Sequence, residues 1–180
     1  MPIRDLETLK PIDRPQAPYE FAELTVGQPR LKVLVAETDS PMRNQLVRLL
    51  SKDCQVVCAE TVRRAARLIQ RDHFDLVICD QELPSSGGMA LLDFVKLRAP
   101  ETFVVLAMDE FDARIRSQAI LHGALECYVK PMSDEAVRLL ILHVRLGLRM
   151  NQEGEMNSEP EGEMGGEMSR GERSPDNPGR

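Results

Sequence analysis

The chain has 180 residues, 42% of them hydrophobic, which suits one packed domain with flanking tails. Aromatic residues are only 4% and Trp is absent, so any core must be aliphatic. A net charge of −6 argues against nucleic acid as the main ligand, because phosphate contacts need clustered Lys and Arg. No apolar run is long enough to cross a bilayer, and the Met1-Pro2-Ile3-Arg4-Asp5 start lacks the apolar stretch of a signal peptide. A cytoplasmic protein without a membrane partner is therefore expected. Cys54, Cys58, Cys79 and Cys127 fall on or beside predicted strands and read as reduced thiols.

Residues 1–29 carry Pro2, Pro11, Pro15, Pro18 and Pro29 without a sustained period, and read as an irregular arm. Leu31–Ala36 is a predicted strand, followed by Glu37-Thr38-Asp39 and a helix with Ser40 as its cap and Pro41 as its first residue. Met42, Leu46, Leu49 and Leu50 form the apolar face of that helix. Gln55–Ala59 is a second strand, and Thr61 caps a helix with Val62, Ala65, Ala66 and Ile69 on one side. Arg63, Arg64, Arg67 and Arg71 fall mostly on the other, as a solvated face. Leu76–Cys79 is an unbroken apolar run of branched side chains, the pattern of a parallel strand covered on both faces. It ends at Asp80, and Leu83-Pro84 and Gly87-Gly88 then force a loop. Met89–Leu97 is a helix, Thr102–Ala107 a strand, Asp112–Leu121 a helix, and Glu126–Val129 a short strand running into Lys130-Pro131. Ser133 caps a last helix, where Asp134 and Glu135 suit the dipole.

Strands alternating with helices predict an α/β fold with a doubly wound parallel sheet. The last helix is apolar on more than one face, through Leu139, Leu140, Ile141, Leu142, Val144, Leu146 and Leu148, so a covering partner or the arm is expected there. After Met150, Glu153-Gly154-Glu155-Met156 recurs as Glu161-Gly162-Glu163-Met164, and a disordered tail is expected. Asp80 alone supports two readings: chemistry at the carboxyl end of a central strand, or a loop cap. His73, His122 and His143 have no ligand spacing for a metal.

Glu37-Thr38-Asp39, the Asp80-Gln81-Glu82-Leu83-Pro84…Gly88 run, and Gly123-Ala124…Lys130-Pro131 meet at one end of this predicted sheet. Over residues 30–148 they resemble the response-regulator receiver domain of two-component signalling. The resemblance implies a five-stranded sheet in the order 2-1-3-4-5. It makes residues 1–29 an arm and residues 149–180 a tail. It implies that Asp80 accepts a phosphoryl group from a histidine kinase or phosphotransfer protein, and that Lys130 contacts its oxygens. It implies Mg²⁺ held by Glu37, Asp80 and the Glu82 backbone carbonyl, with Asp39 as a candidate substitute ligand. The switch hydroxyl is replaced by Ala107 and the switch aromatic by Cys127, while Thr38 stands where a second acid is usual. Fewer charged ligands predict weaker Mg²⁺ binding.

Two functional readings stay open. One is a stand-alone response regulator, not an enzyme beyond its own phosphorylation and dephosphorylation, that relays a signal by protein contact. The other is a phosphorylation-independent pseudo-receiver acting as an interaction module. Either would use a face of helix four, strand five and helix five, with Ile141, Leu142 and Leu146 as interface residues and a homodimer as one candidate partner. A thiol redox sensor at Cys79 and Cys127 is a third reading.

Overall fold

In the computed structural model, residues 29–156 are described. The chain divides into two compact units, Met1–Val144 and Arg145–Arg180. The first holds strands β1 (Leu31–Ala36), β2 (Cys54–Ala59), β3 (Leu76–Asp80), β4 (Phe103–Met108) and β5 (Glu126–Val129). Between them lie helices α1 (Ser40–Leu50), α2 (Val62–Ile69), α3 (Gly87–Arg98) and α4 (Ala113–Leu121), and α5 (Asp134–Met156) follows β5. All strand pairs are parallel and their order is β2-β1-β3-β4-β5, as the sequence predicts. Among the described residues no helix is long and apolar enough to cross a membrane.

The sheet buries both faces, which is why its strands read as continuous apolar runs. All of Leu76–Asp80 is buried, including the acid. Leu34, Val77, Cys79, Val104, Leu106 and Met108 pack in one cluster with Leu91, Leu92 and Val95 of α3. Thr61 caps α2 by accepting from Arg64 N at 3.2 Å, and Asp112 caps α4 by accepting from Arg114 N at 2.8 Å and Ile115 N at 3.2 Å. The cap of α1 is Asp39 rather than Ser40, one residue earlier than expected, and Ser40 opens the helix itself. Ser133 Oγ accepts from Ala136 N at 3.1 Å at the start of α5.

At the opposite end of the sheet from the loops of interest, Thr102 is buried and its hydroxyl donates to the Phe74 carbonyl at 2.8 Å. Thr102→Val keeps the shape and strands that carbonyl. The variant should unfold about 1.5 kcal/mol more easily in a urea titration.

Two expectations about α5 need correction. Val137, Leu140, Ile141 and Val144 form a single buried stripe, and Ile141 is only 3% exposed. It borders a small recess with Leu49, Leu50 and Val137 beside α1, so it belongs to the core and not to an exposed interface. Leu142 is half-buried, while Leu139 and Leu146 are exposed. The helix also runs on to Met156, past the expected boundary at residue 148. The arm at residues 1–28 and the tail beyond residue 156 lie outside the described residues.

Candidate functional site

Strand order and register bring three distant loops to one rim. Ala36 pairs with Cys79, so Glu37 leaves β1 beside Asp80 at the end of β3. A hydrogen bond from Glu37 N to Ala59 O at 3.0 Å holds that exit against β2. On the other side, Met108 pairs with Val129, and Lys130 N donates to Met108 O at 2.8 Å. Asp109 and Lys130 are therefore the first residues past the ends of β4 and β5. Two strand spacings of about 4.8 Å separate β5 from β3, a gap that suits the four-carbon stem of a lysine.

Lys130 Nζ donates to Asp80 Oδ1 at 3.0 Å, lies 2.9 Å from Asp109 Oδ1, and is 3.6 Å from Glu37 Oε2. Glu37 is 2% exposed and Asp80 7%. Glu37 Oε1 accepts from Asp39 N at 2.8 Å, and Asp80 Oδ1 also accepts from Glu82 N at 3.1 Å. Burial pushes the Glu37 carboxyl above the usual carboxylate range and the nearby Asp80 charge adds to that, while the Asp39 N–H and Lys130 oppose it. Burial works against the Lys130 ammonium, but its hydrogen bonds to Asp109 and Asp80 and the Glu37 charge outweigh that and hold its pKa above the ordinary lysine value. The lysine is a fixed cation with three acids around it.

The β1–α1 loop is tied down by Arg43. Its Nη1 donates to the carbonyls of Glu37 and Thr38 at 2.8 and 3.0 Å, and its Nη2 reaches Ser40 Oγ at 3.0 Å and Glu60 Oε1 at 3.2 Å. Thr38 turns away from the site, its hydroxyl donating to Glu60 O at 3.0 Å. Asp39 contributes its N–H and caps α1. No set of three or more His, Cys, Asp and Glu side chains that could hold a metal is found among the described residues. Glu37, Asp80 and a backbone carbonyl remain. Mg²⁺ is commonly held by one or two carboxylates plus waters, so this donor set fits the ion, though sparsely.

The register sets the two expected switch positions apart. Ala107 pairs with Asp80 and with Tyr128, whereas Cys127 pairs with Leu106. In a parallel sheet paired residues share a face, so Ala107 and Cys127 point to opposite faces. The last residue of β4 on the Cys127 side is Met108, which packs with Cys127 in the core cluster. Neither Ala107 nor Met108 offers a hydroxyl at the rim.

Asp109 is the site residue the sequence reading missed. It sits one position past an apolar strand in the run Asp109-Glu110-Phe111-Asp112, which looks like an ordinary polar loop. The signal was its place: the first residue after strand four, as Lys130 is the first after strand five.

Burial, helped by the Asp80 charge and by Cys127, pushes Cys79 up to about 12, and burial raises Cys127 as well. A thiol reacts as its thiolate, and these shifts lower the thiolate share of both. The histidines serve other contacts, with His122 Nδ1 2.6 Å from Asp93 Oδ1 and His73 within 3.5 Å of Asp75.

A parallel β2-β1-β3-β4-β5 sheet with an acid ending the central strand and a lysine reaching it from the edge defines a receiver-type signalling module. The family model for the response regulator receiver domain matches residues 33–142, and the chain belongs to that family. Among its relatives is the two-component response regulator ARR11 of Arabidopsis thaliana, 28% identical over 117 residues, covering 63% of this chain and 22% of that protein. This chain thus spans about a quarter or less of that relative. A solved response regulator receiver domain protein from Clostridium thermocellum has the same fold, with a TM-score of 0.63 at 23% identity over 67% of this chain and 98% of that one. The beryllofluoride-activated NtrC4 receiver domain dimer is similar with a TM-score of 0.61 at 27% identity, covering 64% of this chain and 96% of that one. Receiver domains are generally signalling modules rather than enzymes, and they generally bind Mg²⁺ at the phosphorylation site and interact with histidine kinases or phosphotransfer proteins.

Proposed function

We propose that this receiver accepts a phosphoryl group on Asp80 and relays the change by protein contact. The observation that carries the reading is the Lys130 ammonium 3.0 Å from Asp80 Oδ1, both side chains buried. No hydrogen bond among the described residues reaches Asp80 Oδ2. An Asp80 oxygen forms the new bond to phosphorus, the donor's bond to phosphorus breaks, and the donor leaves with that electron pair. Lys130 supplies fixed positive charge to the transferred group and needs no proton transfer to do so. Mg²⁺, held by Glu37, Asp80 and the Glu82 carbonyl, would offset further negative charge there. Exposed Ile120, Val129 and Leu139 on α4, β5 and α5 give the output partner, or a second copy of the chain, an apolar surface.

The absence of a rim hydroxyl favours the second reading, a constitutive interaction module. Incubation with acetyl phosphate and Mg²⁺ followed by intact mass separates them. The expected result is a gain of one phosphoryl mass, abolished by Asp80→Asn. A chain that stays unmodified where an ordinary receiver is modified overturns the phosphoacceptor reading in favour of the second.

A further inference from the structure

We infer that Asp109 is the anion Lys130 holds in the resting state and exchanges for the phosphoryl group, so that phosphorylation pushes the β4–α4 loop outward. The inference rests on Asp80 being the phosphoacceptor. Lys130 has three donors and three anions around it: Asp109 at 2.9 Å, Asp80 at 3.0 Å and Glu37 at 3.6 Å. A phosphoryl group on Asp80 brings between one and two negative charges and strong acceptor oxygens to the same ammonium.

The Asp80 carboxylate loses its own charge in the acyl phosphate, so the phosphoryl oxygens compete with Glu37 and Asp109 for the ammonium. Glu37 is buried and would keep its desolvation cost while losing its cation. The Asp109 side chain is 64% exposed, so water can take it at little cost. The arriving charge also repels it. An ordinary hydroxyl at this rim is drawn toward phosphate; here the rim carries a carboxylate, and the sign of the motion is reversed.

The loop is built to transmit such a displacement. Asp109 is followed by Glu110, by Phe111, which is exposed, and by Asp112, whose carboxylate caps α4 through Arg114 N and Ile115 N. Asp109, Phe111 and Ile115 line one open recess with Gln81 and Glu82, next to the nucleophile. Movement of Asp109 therefore reaches the first turn of α4, the helix that carries exposed Ile120 in its last turn.

The test uses the full chain with Phe111→Trp as a reporter, since the sequence contains no other Trp. Acetyl phosphate and Mg²⁺ are added, and intact mass and Trp fluorescence are followed together, with and without Asp109→Asn. The reporter protein should gain its phosphoryl mass slowly, with fluorescence changing in step. Asp109→Asn frees Lys130 and removes one repelling charge, so the mass should appear roughly tenfold faster and the fluorescence change should be lost. Equal rates with the same fluorescence change in both proteins overturn the exchange and leave Asp80 as phosphoacceptor. No added mass in either protein overturns both.

Discussion

Lys130→Met should lower stability by about 3 kcal/mol at neutral pH, read from urea unfolding at constant slope. The substitution keeps most of the apolar stem and removes only the charge. Asp80 and Glu37 are then left facing each other at a buried rim without a cation, which is far costlier than losing an exposed ion pair. The Asp109 contact adds little to this figure, because its carboxylate returns to water. The pH dependence follows from Glu37. Its folded pKa already lies above the ordinary value through burial, so its ionised form opposes folding. An acid raised in this way costs stability at neutral pH and returns it as the pH falls through its folded titration. Removing Lys130 raises that titration further. The deficit of Lys130→Met should therefore be largest at neutral pH and shrink on acidification, and it should be much smaller in an Asp80→Asn background. A deficit independent of pH and of Asp80 would mean that packing, not charge, is what the lysine supplies.

Gly88→Ala should cost about 3 kcal/mol, the upper end for overpacking a closed site. A Cβ at Gly88 would stand 2.4 Å from the Asp80 carbonyl oxygen and 2.7 Å from Leu106 Cδ1. The first of these is backbone and cannot rotate away. Gly88 N meanwhile donates to Gln81 O at 2.9 Å, which pins the start of α3 against the strand end. The helix must move off β3 to accept a methyl group, and the peptide that orients Asp80 moves with it. A thermal melt read by circular dichroism should show the loss, and phosphorylation by acetyl phosphate should slow in the same variant.

The fold was legible because each strand is a buried apolar run closed by a polar or turn-forming residue. Leu76–Cys79 ending in Asp80 and Val129 ending in Lys130 are the clearest cases. Parallel alternation made their convergence at one end of the sheet legible, and the resemblance to receivers implied the strand order that sets β5 two places from β3. What failed turned on facing and on context. Ala107 and Cys127 stood only as the positions of the family's switch pair, and nothing in the sequence shows that the register puts the two on different faces. Ile141 looked like surplus apolar surface on α5, and only the packing of α1 shows that it is core. The helix continues past residue 148 because Arg, Met, Gln and Glu are good helix formers, so a polar composition alone did not mark its end. Asp109 could not be distinguished from solvated loop acids until the lysine was seen against it.

The Thr38 contact limits how this ion site could be rebuilt. Its hydroxyl donates to the Glu60 carbonyl, and the Glu60 side chain is itself clasped by Arg43 on the same turn. An aspartate at position 38 would bring a carboxylate, which can only accept, to a carbonyl that also only accepts, beside a second acid. The extra charge would arrive without the anchor that shapes the loop. A stronger cation trap at position 38 thus comes at the loss of the Thr38 bond to the Glu60 carbonyl, and because that acceptor is main chain, no change of the Glu60 side chain supplies the missing donor.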